Sequence, residues 1–121
     1  MPEPELAFQV AFFATPNGNK PAWEFLKLLD KEDRSRVGFD LKRVQIGFPV
    51  GMPLCRPFGD GLYELRCSLP SKREARLLFF VFEDTLIIVS GFIKKTQKTP
   101  EQELQKARER KKEFLSNTSK E

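Results

Sequence analysis

The apolar positions of the chain change period several times, and each change marks an element. Leu6 to Ala14 (LAFQVAFFA) is rich in β-compatible residues and closes on the turn signal Thr15-Pro16-Asn17-Gly18-Asn19, which predicts a first strand. Helical spacing follows: Trp23, Leu26 and Leu29 lie three apart, and Phe25 and Leu28 broaden the stripe. Pro21 suits a first helical position, with Asn19 as its cap. Val37, Leu41 and Val44 continue at i, i+4, i+7 until Gly47 and Pro49 stop them. The two stretches form either one bent helix or a helical hairpin around Asp30–Asp33.

Residues 47–61 (GFPVGMPLCRPFGDG) are a Gly- and Pro-dense connector. Beyond it Leu62–Ser68, Arg76–Phe82 and Leu86–Ile93 read as three strands, joined by residues 69–73 and by the tight Glu83-Asp84-Thr85. The run Leu77–Phe82 is apolar on both faces, as expected of a central strand covered on both sides. Thr99, Pro100 and Gln102 have the spacing of a capping box opening a last helix. Leu104, Ala107, Phe114 and Leu115 supply its apolar face, with Lys106, Arg110 and Lys111 toward solvent. The order predicts an α+β domain: an antiparallel-rich sheet of about four strands, with amino-terminal helices and a carboxy-terminal helix packed on it. One domain accounts for residues 1–115, and 116–121 form a polar, flexible tail.

Composition narrows the chemistry. The 121 residues are 40% hydrophobic, enough for one modest core, and include 12 Phe against one Trp and one Tyr. There is no His, and Cys55 and Cys67 are the only cysteines, which excludes Ser–His–Asp and Cys–His catalysis and a Cys/His zinc site within one chain. The amino terminus lacks the basic start and apolar run of a signal peptide, and no apolar stretch nears the ~20 residues that span a bilayer. Both observations point to a cytoplasmic protein with reduced thiols and no membrane partner. The net charge of +4 is uneven: residues 1–60 carry eight basic and eight acidic side chains, residues 61–121 thirteen and nine. Such asymmetry is the usual footprint of a polyanionic partner.

Strand geometry places the basic residues. A hairpin centred near Asp84 pairs Arg76 with Phe92, two residues from Lys94, and a joint centred near Ser71 sets Arg66 opposite Arg76. Side chains alternate with period two, so Arg66, Arg76 and Lys94 share one face near one end of the sheet, with Lys95 and Lys98 just beyond. Three adjacent cations oppose folding unless an anion or carboxylate neutralises them. A phosphate ligand fits, because Arg offers a fork of donors and Lys a movable point charge. The alternative is that Arg66 and Arg76 pair with Glu64, Glu74 or Glu83.

Three segments carry a resemblance: Gly61-Leu-Tyr-Glu-Leu-Arg66, Ala75-Arg-Leu-Leu-Phe-Phe80, and Gly91-Phe-Ile-Lys-Lys-Thr-Gln-Lys-Thr-Pro100 running into a helix. Together they resemble the phage-derived branch of the HigB/RelE toxin superfamily, closely over about residues 45–115. The resemblance implies a RelE-like fold and a toxin of a type II toxin–antitoxin pair. Such a toxin cleaves mRNA, commonly on the ribosome, and a HigA-like helix-turn-helix antitoxin neutralises it. It also implies chemistry without metal or cofactor, in which the RNA 2′-hydroxyl attacks the adjacent phosphate. Arg66 and Arg76 match the family's strand arginines at the scissile phosphate, and Lys94 and Lys95 its basic pair after the last strand. A Lys crowded by other cations gives up its proton more easily, which makes Lys94 or Lys95 the candidate base or acid. Lys72, Arg73 and Lys98 would extend the RNA contact, and Tyr63 would stack on a base unless it is a half-buried strand residue. The His, Asp–His pair or carboxy-terminal Tyr of several family members has no counterpart here.

Two other readings keep the same fold: a non-cutting RNA- or protein-binding module, and a phage accessory protein that uses the fold as an interaction surface. The first predicts salt-dependent RNA affinity without product, the second tolerance of charge reversal at Arg66 and Arg76.

Overall fold

A computed structural model describes residues 5–96 and 98–118. The chain runs β1 (Gln9–Phe12), α1 (Pro21–Lys27), α2 (Lys31–Gly47), β2 (Cys55–Pro57), β3 (Leu62–Ser68), β4 (Glu74–Phe82), β5 (Thr85–Ile93) and α3 (Glu101–Thr118). The five strands form one mixed sheet in the order β1-β5-β4-β3-β2, with β1 parallel to β5 and the other pairs antiparallel. The expected four strands become five because the Pro-dense connector contributes β2, three residues along the edge of β3. Three residues, the last a proline, are too few to show a period. Edge position is also where a strand tolerates Pro57, which has no N–H to give to a ladder.

The amino-terminal helices are separate. Pro21 opens α1 as expected, but Lys20 rather than Asn19 holds the capping position, without a side-chain bond. The helix ends at Lys27, and Asp30 precedes the first residue of α2. In α2, Val37, Leu41 and Val44 are buried as their spacing requires, and Asp33 and Asp40 are buried with them.

The sheet lies between two apolar layers. Ala22, Leu26, Val37, Leu41 and Val44 of α1 and α2 pack against Leu65, Leu77, Phe79, Leu86 and Ile88. On the opposite face Leu104 and Ala107 of α3 meet Leu62, Leu78, Phe80, Ile87 and Val89. Central β4 therefore alternates between two cores, Leu77 and Phe79 to one and Leu78 and Phe80 to the other. Gly91 lies where α1 approaches most closely: a Cβ there would stand 2.6 Å from the Phe25 ring and 3.0 Å from Leu77.

The last helix departs from its expected faces. Leu104 and Ala107 are buried, but Leu115 is exposed, and Arg110 reaches back to donate a 2.7 Å bond to the Val89 carbonyl. Lys111 bonds the Asp60 carbonyl and lies over the Phe80 ring. The helix continues through Thr118, so Ser116–Thr118 are helical, while 119–121 lie outside the described residues. Residues 1–4 at the amino terminus and Gln97 of the Lys94–Lys98 turn lie outside them as well.

The β4–β5 hairpin carries a bulge that fixes the site. Its turn is the two residues Glu83-Asp84, so Phe82 pairs Thr85 and Phe79 pairs Ile88. Leu78 then pairs Ser90, leaving Val89 as the extra residue. From there to the end of the ladder the register is the expected one, with Arg76 opposite Phe92.

Candidate functional site

The end of the sheet formed by β3, β4 and the exit of β5 collects the charged residues. Arg66 is opposite Arg76 and Arg76 opposite Phe92, so Arg66, Arg76 and Phe92 stand on the α3 face. Lys94 follows Phe92 by two, and its ammonium lies 3.6 Å from Glu74. Without the bulge at Val89, Arg76 would stand opposite Gly91 and the parity of Lys94 would be reversed.

Carboxylates sit between the cations. Glu64, fully buried, accepts from Arg66 Nε at 3.1 Å, from Arg76 Nη1 at 3.3 Å and from the Thr99 hydroxyl at 2.6 Å. Glu74 accepts from Arg76 Nε at 3.2 Å and shares its other oxygen with Lys94. The pairing foreseen as the alternative for Arg66 and Arg76 is thus present for Glu64 and Glu74, while Glu83 lies in the hairpin turn with φ of +55°. Arg76 is only 2% exposed, so in this state it cannot meet a phosphate from solvent, contrary to the expected direct contact. Its guanidinium braces Glu64 and Glu74 from beneath. Arg66 and Lys94 are partly exposed, and Lys95 and Lys98 are fully on the surface.

Thr99 does not cap α3 as expected: the helix opens at Glu101, the Pro100 carbonyl accepts from the Glu103 and Leu104 N–H groups, and Thr99 stands one residue earlier. Buried at 2% exposure, it ties the strap before α3 to Glu64. Ser90 makes a second tie, donating to Glu103 of α3 at 2.6 Å. These bonds fix the start of α3 beside the ionic cluster. Buried polar groups in such a place are favourable only when each has a partner. Among the described residues no buried side-chain nitrogen or oxygen lacks one.

The other residues expected at an RNA surface are not all in one place. Tyr63 stands on the opposite face of β3, half-buried, stacked on Phe79 at 5.5 Å and edge-on to Phe48 at 5.0 Å. It cannot share a nucleotide with Arg66, because neighbouring strand residues point to opposite faces. Lys72 is exposed in the β3–β4 turn with φ of +67°, and Arg73 is held by Asp33 at 3.2 Å. The Ser71 hydroxyl holds the Asp33 carboxyl below its ordinary value, against the opposing effect of burial; the Ser71 N–H and Arg73 add to the lowering.

The sequence did not single out Asp33 or Asp40 as buried charges, and it offered Thr99 only as a helix cap. The signal for the first two was present: with Val37, Leu41 and Val44 they complete one helical stripe, and a carboxylate on a buried stripe demands a partner. Asp40 finds two, Arg36 Nε at 3.2 Å and Arg43 Nη1 at 3.4 Å. Both cysteines are buried free thiols. Burial pushes the Cys55 thiol up to about 11, and burial followed by the neighbouring Asp40 raises Cys67 further. Among the described residues, no three Cys, Asp or Glu side chains gather as metal ligands, and no helix is long and apolar enough to cross a membrane.

Fold and site together define a small α+β domain with an ionic cluster at one end of a mixed sheet, bordered by exposed lysines. Residues 24–112 match the family model described as Phage derived protein Gp49-like (DUF891). The chain belongs to this phage-derived Gp49-like family, a RelE/toxin-like family. No curated protein matches the chain.

Proposed function

We propose that this protein is the toxin of a type II toxin–antitoxin pair, a HigB-like cytoplasmic endoribonuclease with a RelE-like fold. It acts on mRNA at the ribosome and is neutralised by a HigA-like helix-turn-helix antitoxin. The observation that carries the reading is the placement of Arg66, Arg76 and Lys94 on one face at the sheet end, next to Lys95 and Lys98, in a chain of a RelE/toxin-like family.

The reaction is transesterification without metal or cofactor. The 2′-oxygen bonds to the adjacent phosphorus as its proton passes to a base, and the P–O5′ bond breaks. The departing O5′ takes a proton, leaving a 2′,3′-cyclic phosphate and a 5′-hydroxyl. Arg66 and Lys94 are exposed enough to touch the phosphorane oxygens, where charge develops. Arg76 adds positive field from beneath and keeps Glu64 and Glu74 in place. Lys94 and Lys95 are the candidates for proton transfer, and the ribosome supplies the positioning that this mostly cationic site lacks.

A second reading has its own support. Glu64 and Glu74 already neutralise part of the cluster, which suits a module that binds RNA without cutting it. Induced expression separates the two. The toxin reading expects growth arrest and discrete new mRNA 5′ ends, lost in Arg66→Ala and Lys94→Ala. Normal growth with intact mRNA, at confirmed soluble expression, favours the binding module.

A further inference from the structure

The ionic cluster does not stop at the α3 face. Just before β2 begins, a bond along that edge runs from the Arg66 N–H to the Leu54 carbonyl, and β3 continues to Ser68. A cavity of about 310 Å³ opens there, lined among others by Arg36, Asp40 and Arg43 of α2 and by Arg66, Ser68 and Glu74 of the sheet. Arg66 thus serves both the cavity and the cluster.

The charges alternate through this region, and each carboxylate serves two cations. Asp40 is shared by Arg36 and Arg43, Glu64 by Arg66 and Arg76, and Glu74 by Arg76 and Lys94. One carboxylate neutralises one cation. Arg36 and Arg43 share the single carboxylate of Asp40 and therefore keep one positive charge between them. Both arginines are open to solvent, with side chains 43% and 51% exposed. Beside them Phe39 is 60% exposed, its ring centroid 5.7 Å from the Arg36 guanidinium.

We propose that the Arg36–Arg43–Arg66 cavity holds a second phosphodiester of the same single-stranded RNA, which wraps round the edge of the sheet with a base stacked on Phe39. The inference rests on the RNA reading above and deepens it. A position with one surplus positive charge, next to partly exposed Arg66, matches a chain that carries one negative charge per unit. Guanidinium forks suit phosphate oxygens. The exposed ring tells a nucleic acid from an acidic peptide, because a base stacks on an aromatic face and a carboxylate does not. Phe39 thereby fills the stacking role expected of Tyr63, which is committed to the opposite face.

The test is association of a short, fluorescently labelled, 2′-O-methylated single-stranded RNA, which cannot be cut by its own 2′-oxygen, measured across a salt series. Arg36→Gln and Arg43→Gln are made separately, so that Asp40 keeps one partner in each, and thermal unfolding confirms the fold. Each is expected to flatten the plot of log affinity against log salt by about 0.7, the value for one phosphate contact on a single strand. Arg36→Lys, which keeps the charge, retains the wild-type slope. Phe39→Ala lowers affinity roughly tenfold with the slope unchanged. Wild-type binding whose slope both glutamine variants preserve overturns the cavity site and leaves the RNA reading standing. Absence of salt-dependent RNA binding by the wild type overturns both. Glutamine variants that keep RNA affinity but lose affinity for a polyglutamate peptide overturn the RNA assignment in favour of an acidic protein partner.

Discussion

The two faces of β3 divide its seven residues between opposite purposes. Toward α1 and α2 it presents Tyr63, Leu65 and Cys67, all committed to packing: an aromatic cluster, the main core, and a thiol under Asp40. Toward α3 it presents Leu62, Glu64 and Arg66, passing from core to ionic cluster within five residues. On the first face Leu65 and Cys67 are fully buried and Tyr63 is half-buried among rings. On the second the carboxylates are fully used but Arg66 is only partly covered. The sequence left Tyr63 between two roles, stacking on a base and half-buried packing, and the structure places it in the second. On a strand its odd separation from Arg66 puts the two on different faces.

The largest test of this contrast removes one keystone from each side. Glu64→Ala leaves buried Arg76 short of a partner, and Phe79→Ala opens a void in the apolar layer. Each is expected to cost about 3–5 kcal/mol by denaturant unfolding. They differ in function: the protein that remains folded loses mRNA cleavage in Glu64→Ala and keeps it in Phe79→Ala. Equal loss of cleavage in both would erase the distinction between the faces.

A smaller effect is expected at Tyr63. Leu in its place loses the ring contacts with Phe48 and Phe79, worth about 1 kcal/mol, and leaves RNA affinity unchanged. Reduced RNA affinity in a stable Tyr63→Leu protein would return this residue to the binding surface.

Acid titration reaches the clip between α2 and the β3–β4 turn. Because the folded chain lowers the Asp33 value, the bonds to Ser71 and Arg73 contribute fully above the ordinary 3.8. Their contribution disappears as pH falls below 3.8 through the lower folded value. Melting temperature followed from about pH 5 down to about pH 2.5 should therefore fall less steeply in Asp33→Asn than in the wild type. Identical acid slopes would show that the clip adds nothing.

The smallest effect is at the cysteines. With both thiols buried and their values raised, a thiol reagent near neutral pH should label Cys55 and Cys67 no faster than the chain opens. Rapid labelling of either would mean that the α1/α2 face is less closed than described.

Much of the architecture was legible because the period changes are sharp. Leu62–Ser68 carries its strand to the residue, Gly47 ends α2 as expected, and the Arg66–Arg76 pairing follows from its turn centre, whereas Arg76 meets Phe92 only because the bulge at Val89 offsets a hairpin turn centred half a residue before Asp84. β2 escaped because three residues among prolines have no period. The faces of α3 escaped because Arg110 and Lys111 lay their polar tips on backbone carbonyls, an option that long cationic side chains always have. At the candidate site the cations were visible and their use was not. Arg76 is buried against Glu64, which also meets Thr99 across 35 residues, a contact that no local pattern encodes.

The extra residue at Val89 shows where this chain can afford to lose count. Leu86-Ile87-Ile88-Val89 is apolar throughout and lies between two apolar layers, so either parity satisfies it. Ser90 and Gly91 tolerate only one: Ser90 must reach Glu103, and Gly91 must yield to Phe25. The run works as a slip joint, absorbing a difference of one residue between the hairpin turn and the sheet end. Relatives that lengthen the turn by one residue and straighten the strand would deliver the same cations to the same face.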